Sequence, residues 1–161
     1  MFVLPETTTG PERLLLEAML DRNRRAVADT VRGLSETEAR ARLVPSATTP
    51  IGLVKHAAMV ERRWFQRLVL GLGEDDCDGP STPGEASFAV ADDETVAGVI
   101  AEFERASARS REIAARFGLD DTWTHPVLGE VSLRFVHLLL IEDFARHAGH
   151  GDILAEQLSS R

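Results

Sequence analysis

Asp143 and His147 stand four residues apart in the run Val136–His150. On an α-helix that spacing stacks a carboxylate and an imidazole on one face. At 100° per residue, Val136, Leu139, Leu140, Asp143, His147, His150 and Leu154 fall within roughly 60° of one direction. The pattern predicts an amphipathic helix whose core-facing stripe turns ionisable partway along. Ionisable groups in such a stripe are costly unless paired or ligated. Two explanations are open: a buried hydrogen-bonded network that fixes helix register, or a metal site.

A metal site needs a third donor from another helix, and His56, within Leu53–Glu61, is the candidate. It lies near the flank of a stripe formed by Leu53, Ala57, Val60 and Trp64. Two imidazoles and one carboxylate leave a coordination position open, as catalytic zinc sites do. The same set suits non-haem iron or nickel. His150, about two turns beyond Asp143 on nearly the same line, is read as orienting a ligand or facing the substrate. Arg63, about 20° from His56 on the wheel, could pair with a substrate carboxylate, but is expected rather as a surface arginine that covers apolar surface. Beyond the ligands, only His150 and Glu61 offer a general base. Glu142 could replace Asp143 only if the helix rotated. His137 is expected to pack or cap between helices, and His125, which precedes Pro126, to be exposed. Trp64 and Trp123 could line a pocket, but are expected as core or loop anchors.

Four long helical segments would position these groups. Gly10-Pro11-Glu12 opens the first, with Pro11 suited to a first turn, and Leu14, Leu15, Ala18, Met19, Val27 and Val31 recur until Gly33. Ser35 and Glu38 form a capping-box pattern ahead of a short helix. Pro45 and Pro50 bracket a polar linker, and the second long helix runs from about Ile51 to Leu70, before Gly71-Leu72-Gly73. Glu74–Ser87 turns to Asp, Gly, Pro and Ser, a loop long enough to be functional or mobile. Asp92-Asp93-Glu94 caps a third helix that carries Val96 to Phe117 and ends at Gly118. Thr122–Glu130 reads as an irregular connection, and the fourth helix runs from about Ser132 to Ser159. With no internal repeat and no convincing strand, the expected class is all-α. The chain reads as one domain over 1–161, a four-helix bundle with long inter-helix loops.

Composition excludes several functions. The 161 residues carry a net charge of −8, so no basic footprint for nucleic acid or an anionic membrane is expected. A hydrophobic fraction of 43% and a charged fraction of 27% are ordinary for a globular protein. Cys77 is the single cysteine, which rules out an internal disulfide and fits a reducing cytoplasm. Its neighbours Glu74, Asp75, Asp76 and Asp78 disfavour a thiolate nucleophile. Met1–Glu6 lack the features of a signal peptide, and no apolar run approaches a bilayer span. Lys55 is the only lysine, an arginine bias that fits a GC-rich genome.

Thr49-Pro50-Ile51-Gly52-Leu53-Val54-Lys55-His56, followed by Glu61-Arg62-Arg63-Trp64-Phe65, resembles the second helix of DinB-like proteins. It is more closely similar to their actinobacterial branch of unknown function. Ile141–Leu154 is similar to that branch's fourth helix, and the similarity spans nearly the whole chain, Arg42–Ser46 included. The resemblance implies a DinB-like four-helix bundle, commonly a homodimer, with a divalent metal held by three side chains. Carried over, these are His56, Asp143 and His147; the superfamily usually has His or Glu at the position of Asp143. Relatives include mycothiol-dependent maleylpyruvate isomerase, bacillithiol transferases and metal-dependent hydrolases. The implied function is therefore a thiol-dependent transferase, isomerase or hydrolase acting on a small molecule. Zinc is the first choice of ion, with nickel or iron as alternatives. Mycothiol, favoured over bacillithiol by the arginine bias, is the expected thiol. The other reading is a non-catalytic metal-binding or stress-associated bundle without turnover.

Overall fold

The structure, a computed structural model, describes residues 7–159; the reading of Met1–Glu6 lies outside the described residues. The first element of the described residues is α1 (Glu12–Asp29), whose N-cap is Pro11. The short α2 (Glu36–Ala39) is held by the expected capping box: Glu38 N donates to Ser35 Oγ, and Ser35 N to Glu38 Oε2 at 2.8 Å. Thr49 caps α3 (Pro50–Glu61) by accepting from Gly52 N at 3.1 Å, and Pro50 sits where a missing N–H costs nothing.

Beyond Glu61 the chain does not continue as an α-helix. Arg62–Val69 form a π-helix, closed by Leu70 N donating to Phe65 O at 3.1 Å. Arg62, Trp64, Phe65, Gln66 and Val69 are all buried there; an α-helical wheel would spread them over most of its circumference. Two 3-10 turns, Glu74–Asp76 and Glu85–Phe88, punctuate the next loop. The cap of α4 (Val96–Ala114) is Thr95, one residue past the predicted acidic run, and its hydroxyl accepts from Gly98 N.

The expected irregular connection is instead a hairpin. Strands β1 (Thr122–His125) and β2 (Gly129–Ser132) pair antiparallel, with Trp123 opposite Val131 and His125 opposite Gly129. The described residues are thus mostly helical with one small two-stranded sheet, rather than purely α. Four-residue strands separated by a turn over 126–128 are too short to show an alternating pattern. His125, expected to be exposed, is buried and stacks on Trp64 with ring centroids 5.2 Å apart.

The last element, α5 (Leu133–Ser159), buries Leu133, Val136, His137, Leu140, Phe144, Ala148, Gly151 and Leu154. That stripe lies about 70° round the wheel from the predicted one. Packing against α1 accounts for the turn. At Gly151 a Cβ would lie 2.6 Å from Thr30 Cγ2, so only glycine admits the approach. The rotation carries Phe144 into the core, where it meets Phe103 edge-on at 5.7 Å. Asp143 and His147 are left half-buried at the flank, and His150 is exposed. No helix among the described residues is long and apolar enough to cross a membrane.

Candidate metal centre

His56 from α3 and Asp143 and His147 from α5 converge at that flank. Each offers one ligand atom, and these atoms all lie within 4.8 Å of one another. The i, i+4 spacing sets His147 Nε2 3.4 Å from Asp143 Oδ1, and the His56 and His147 rings meet at 5.0 Å, nearly perpendicular. The two residues on α5 are brought together by helix geometry. The third depends on how α3 packs.

Two loop residues fix the His56 ring. Phe88 stacks on it at 4.1 Å, within 6° of parallel, and Ser87 Oγ lies 2.8 Å from His56 Nδ1. Ser87 donates its only hydroxyl proton to Gly84 O at 2.6 Å, so it must accept from His56 Nδ1–H. The proton is thereby assigned to Nδ1, and Nε2 keeps a free lone pair. Burial, with the neighbouring His147 adding to it and Asp143 opposing, pushes the His56 pKa down to about 4. The ring is therefore neutral at pH 7, as a metal ligand must be.

Burial disfavours the Asp143 carboxylate, but its hydrogen bond to His147 and the charges of His147 and His56 outweigh that. Its pKa stays below the ordinary value. Among the described residues, His147 Nδ1 is buried without a hydrogen-bond partner. A neutral imidazole, a carboxylate and a ring with an orphaned nitrogen form a donor set that fits a divalent ion and leaves a position open.

Ser87 and Phe88 were not foreseen as site residues. The available signals were an aromatic residue at the end of the polar loop and a glycine inside α3. At Gly52 a Cβ would stand 2.7 Å from Phe88 O, so the missing side chain lets the 85–88 turn close on α3. Lys55 and Arg62 anchor the rest of this loop region: Lys55 pairs with Glu94, and Arg62 with Asp78 at 2.7 Å and Glu102 at 2.8 Å.

The other sequence candidates fall into place. The His150 ring sits at the rim, 5.9 Å from His147. Glu142 is exposed, its nearest cation Arg146 at 3.9 Å. Glu61 is fully buried and held by two bonds from Arg24, at 2.6 and 2.9 Å, which removes it as a free base. His137 packs in the core as expected, its Nδ1 donating to Leu133 O at 2.9 Å.

A family profile described as Mycothiol-S-transferase matches residues 15–160, a span that takes in the three donors and the loop that holds His56. The chain belongs to the mycothiol-S-transferase family. That family is DinB-like, in line with the resemblance read from the α3 and α5 segments. No curated protein matches the chain. In this mycothiol-S-transferase family member a cleft of about 570 Å³ does not open on the three donors themselves. It lies beside them, with Arg42, Thr49, Ile51 and Phe88 among its walls. Phe88 is therefore common to the cleft and to the His56 stack.

Proposed function

We propose that the chain is a metal-dependent transferase using mycothiol, built as a single-domain DinB-like four-helix bundle. His56, Asp143 and His147 hold one divalent ion, zinc first and nickel or iron as alternatives. The observation that carries this reading is three ligand atoms within 4.8 Å of one another in a member of a mycothiol-S-transferase family. An ion held there supplies Lewis acidity, lowering the pKa of a thiol or water at neutral pH. Around it, Ser87 keeps Nε2 of His56 unprotonated and Phe88 fixes the ring plane. The Asp143 carboxylate provides the site's negative charge. His150, exposed at the rim 5.9 Å from His147, orients a ligand or faces the substrate.

The substrate is a small molecule, and the cleft walled by Phe88 has the room for one. The lone Cys77 supports a cytoplasmic setting. Exposed Leu138 and Ile153 on α5 support a homodimer, which sedimentation would test. The activity is tested by incubating the metal-loaded chain with mycothiol and an aryl chloride acceptor. A sulfur–carbon bond forms and chloride and a proton are released. Thiol consumption is expected to require metal and to vanish in His56→Ala and His147→Ala. Equal consumption in the variants, or after chelation, would contradict the reading.

A further inference from the structure

The face shared by α3 and α5 carries a second feature, away from the three donors. His56 meets His147 at one level; Trp64, eight residues later, meets Phe135, eight residues before Asp143, with ring centroids 6.4 Å apart. Eight residues of α-helix rise about 12 Å. At this second level a pocket of about 400 Å³ opens between the π-helix, the loop after it and the hairpin. Arg63, Trp64, Arg67, Ser81, Thr82 and His125 are among its walls.

The pocket's charges do not cancel. Glu74 accepts from Arg67 Nη1 at 2.7 Å, from Ser81 N at 2.9 Å and from the Ser81 hydroxyl. Arg67 and Glu74 neutralise one another. Arg63, four residues before Arg67, has no hydrogen bond or ion pair among the described residues. His125 Nδ1 accepts from Val127 N and Leu128 N, each at 3.2 Å, so its ring proton is on Nε2, a further donor. The stacked Trp64 and His125 rings give the pocket a rigid, nearly buried side. An unspent guanidinium, one further ring donor and an apolar wall thus come together in a chain whose net charge is −8.

We infer that this pocket binds the anionic group of a small molecule, a carboxylate or a phosphate, through Arg63. The planar guanidinium fork matches either group bidentately, and the volume lies within the range of small-molecule sites. None of the three proposed metal ligands lines it, so the inference stands apart from the metal reading. The two places share one loop: Ser81, Thr82 and Pro83 line the pocket, and Ser87 and Phe88 hold His56.

Calorimetric titration of the full chain with benzoate and with inorganic phosphate tests this. Trp64 emission in a Trp123→Phe background is the second readout. One saturable site per chain is expected for at least one probe, weakened about tenfold or more in Arg63→Gln. Binding should be abolished in Arg63→Glu and unchanged in His147→Ala. Preference for benzoate identifies a carboxylate ligand, and preference for phosphate a phosphate ester. Saturation by neither probe, or affinity that both Arg63 variants preserve, overturns the inference. Loss in His147→Ala but not in Arg63→Gln would place the anion on the three donors and overturn it too.

Discussion

Ser87 decides which nitrogen of His56 is free, because its own proton is committed to Gly84 O. A partner of this kind sets both the tautomer and the orientation of a ligand, and its removal weakens metal binding by about 10–100-fold. Ser87→Ala is therefore expected to lose zinc affinity by that order in chelator competition, with its circular dichroism unchanged. An affinity equal to the parent's would remove Ser87 from the site. That Asp143, His147 and His56 come together was legible beforehand. Asp143 and His147 declare themselves by helical spacing, and His56 by its place in the resembling segment. Ser87 and Phe88 were not legible, because their contact with His56 depends on Gly52 admitting the 85–88 turn. No local pattern around Ser87 encodes that approach.

At the scale of elements, helix ends were the most readable feature. The Ser35–Glu38 box and the start of α3, expected at about Ile51 and found at Pro50, depend on residues within a turn, so local residues suffice to specify them. The rotation of α5 was not readable, since it depends on which side α1 occupies at Gly151. One consequence of that rotation is His137, turned into the core and 2% exposed. Burial lowers its pKa from the ordinary 6.5, although the bond to Leu133 O opposes the shift. Just below 6.5 the unfolded chain therefore takes up a proton that the folded protein refuses. Stability must fall as pH drops through 6.5, and the loss ends at the folded-state pKa. Urea midpoints measured from about pH 7.5 down to about pH 5.5 should decline, and decline less steeply in His137→Gln. Identical slopes in parent and variant would remove His137 as a source of the decline.

Across the whole molecule, a buried ion-pair network that was not foreseen lies away from Asp143, His147 and His150, the residues for which a buried network was one explanation. Glu61 of α3 and Arg24 of α1 form a two-bond ion pair, with Asp21 on the second arm of Arg24 at 2.7 Å and Ser107 of α4 3.5 Å from Glu61. Burial works against the Arg24 charge, yet Glu61 and Asp21 outweigh it and raise its pKa. Breaking one side of such a pair costs about 3–5 kcal/mol, since the other charge stays buried. Glu61→Gln should lose stability of that order in urea denaturation, and the apolar double variant Arg24→Met with Glu61→Leu should recover most of it. A loss below about 1 kcal/mol would show the pair to be peripheral. This network ties three long helices together on buried groups, while the half-buried flank carries His56, Asp143 and His147. Metal content tests that division most directly. Elemental analysis of protein purified without a metal-affinity tag should find about one divalent ion per chain in the parent. The ion should be lost from both His56→Ala and His147→Ala, with helix content retained. A parent chain that holds no metal and takes up none from added zinc, or variants that keep a stoichiometric ion, would contradict the account.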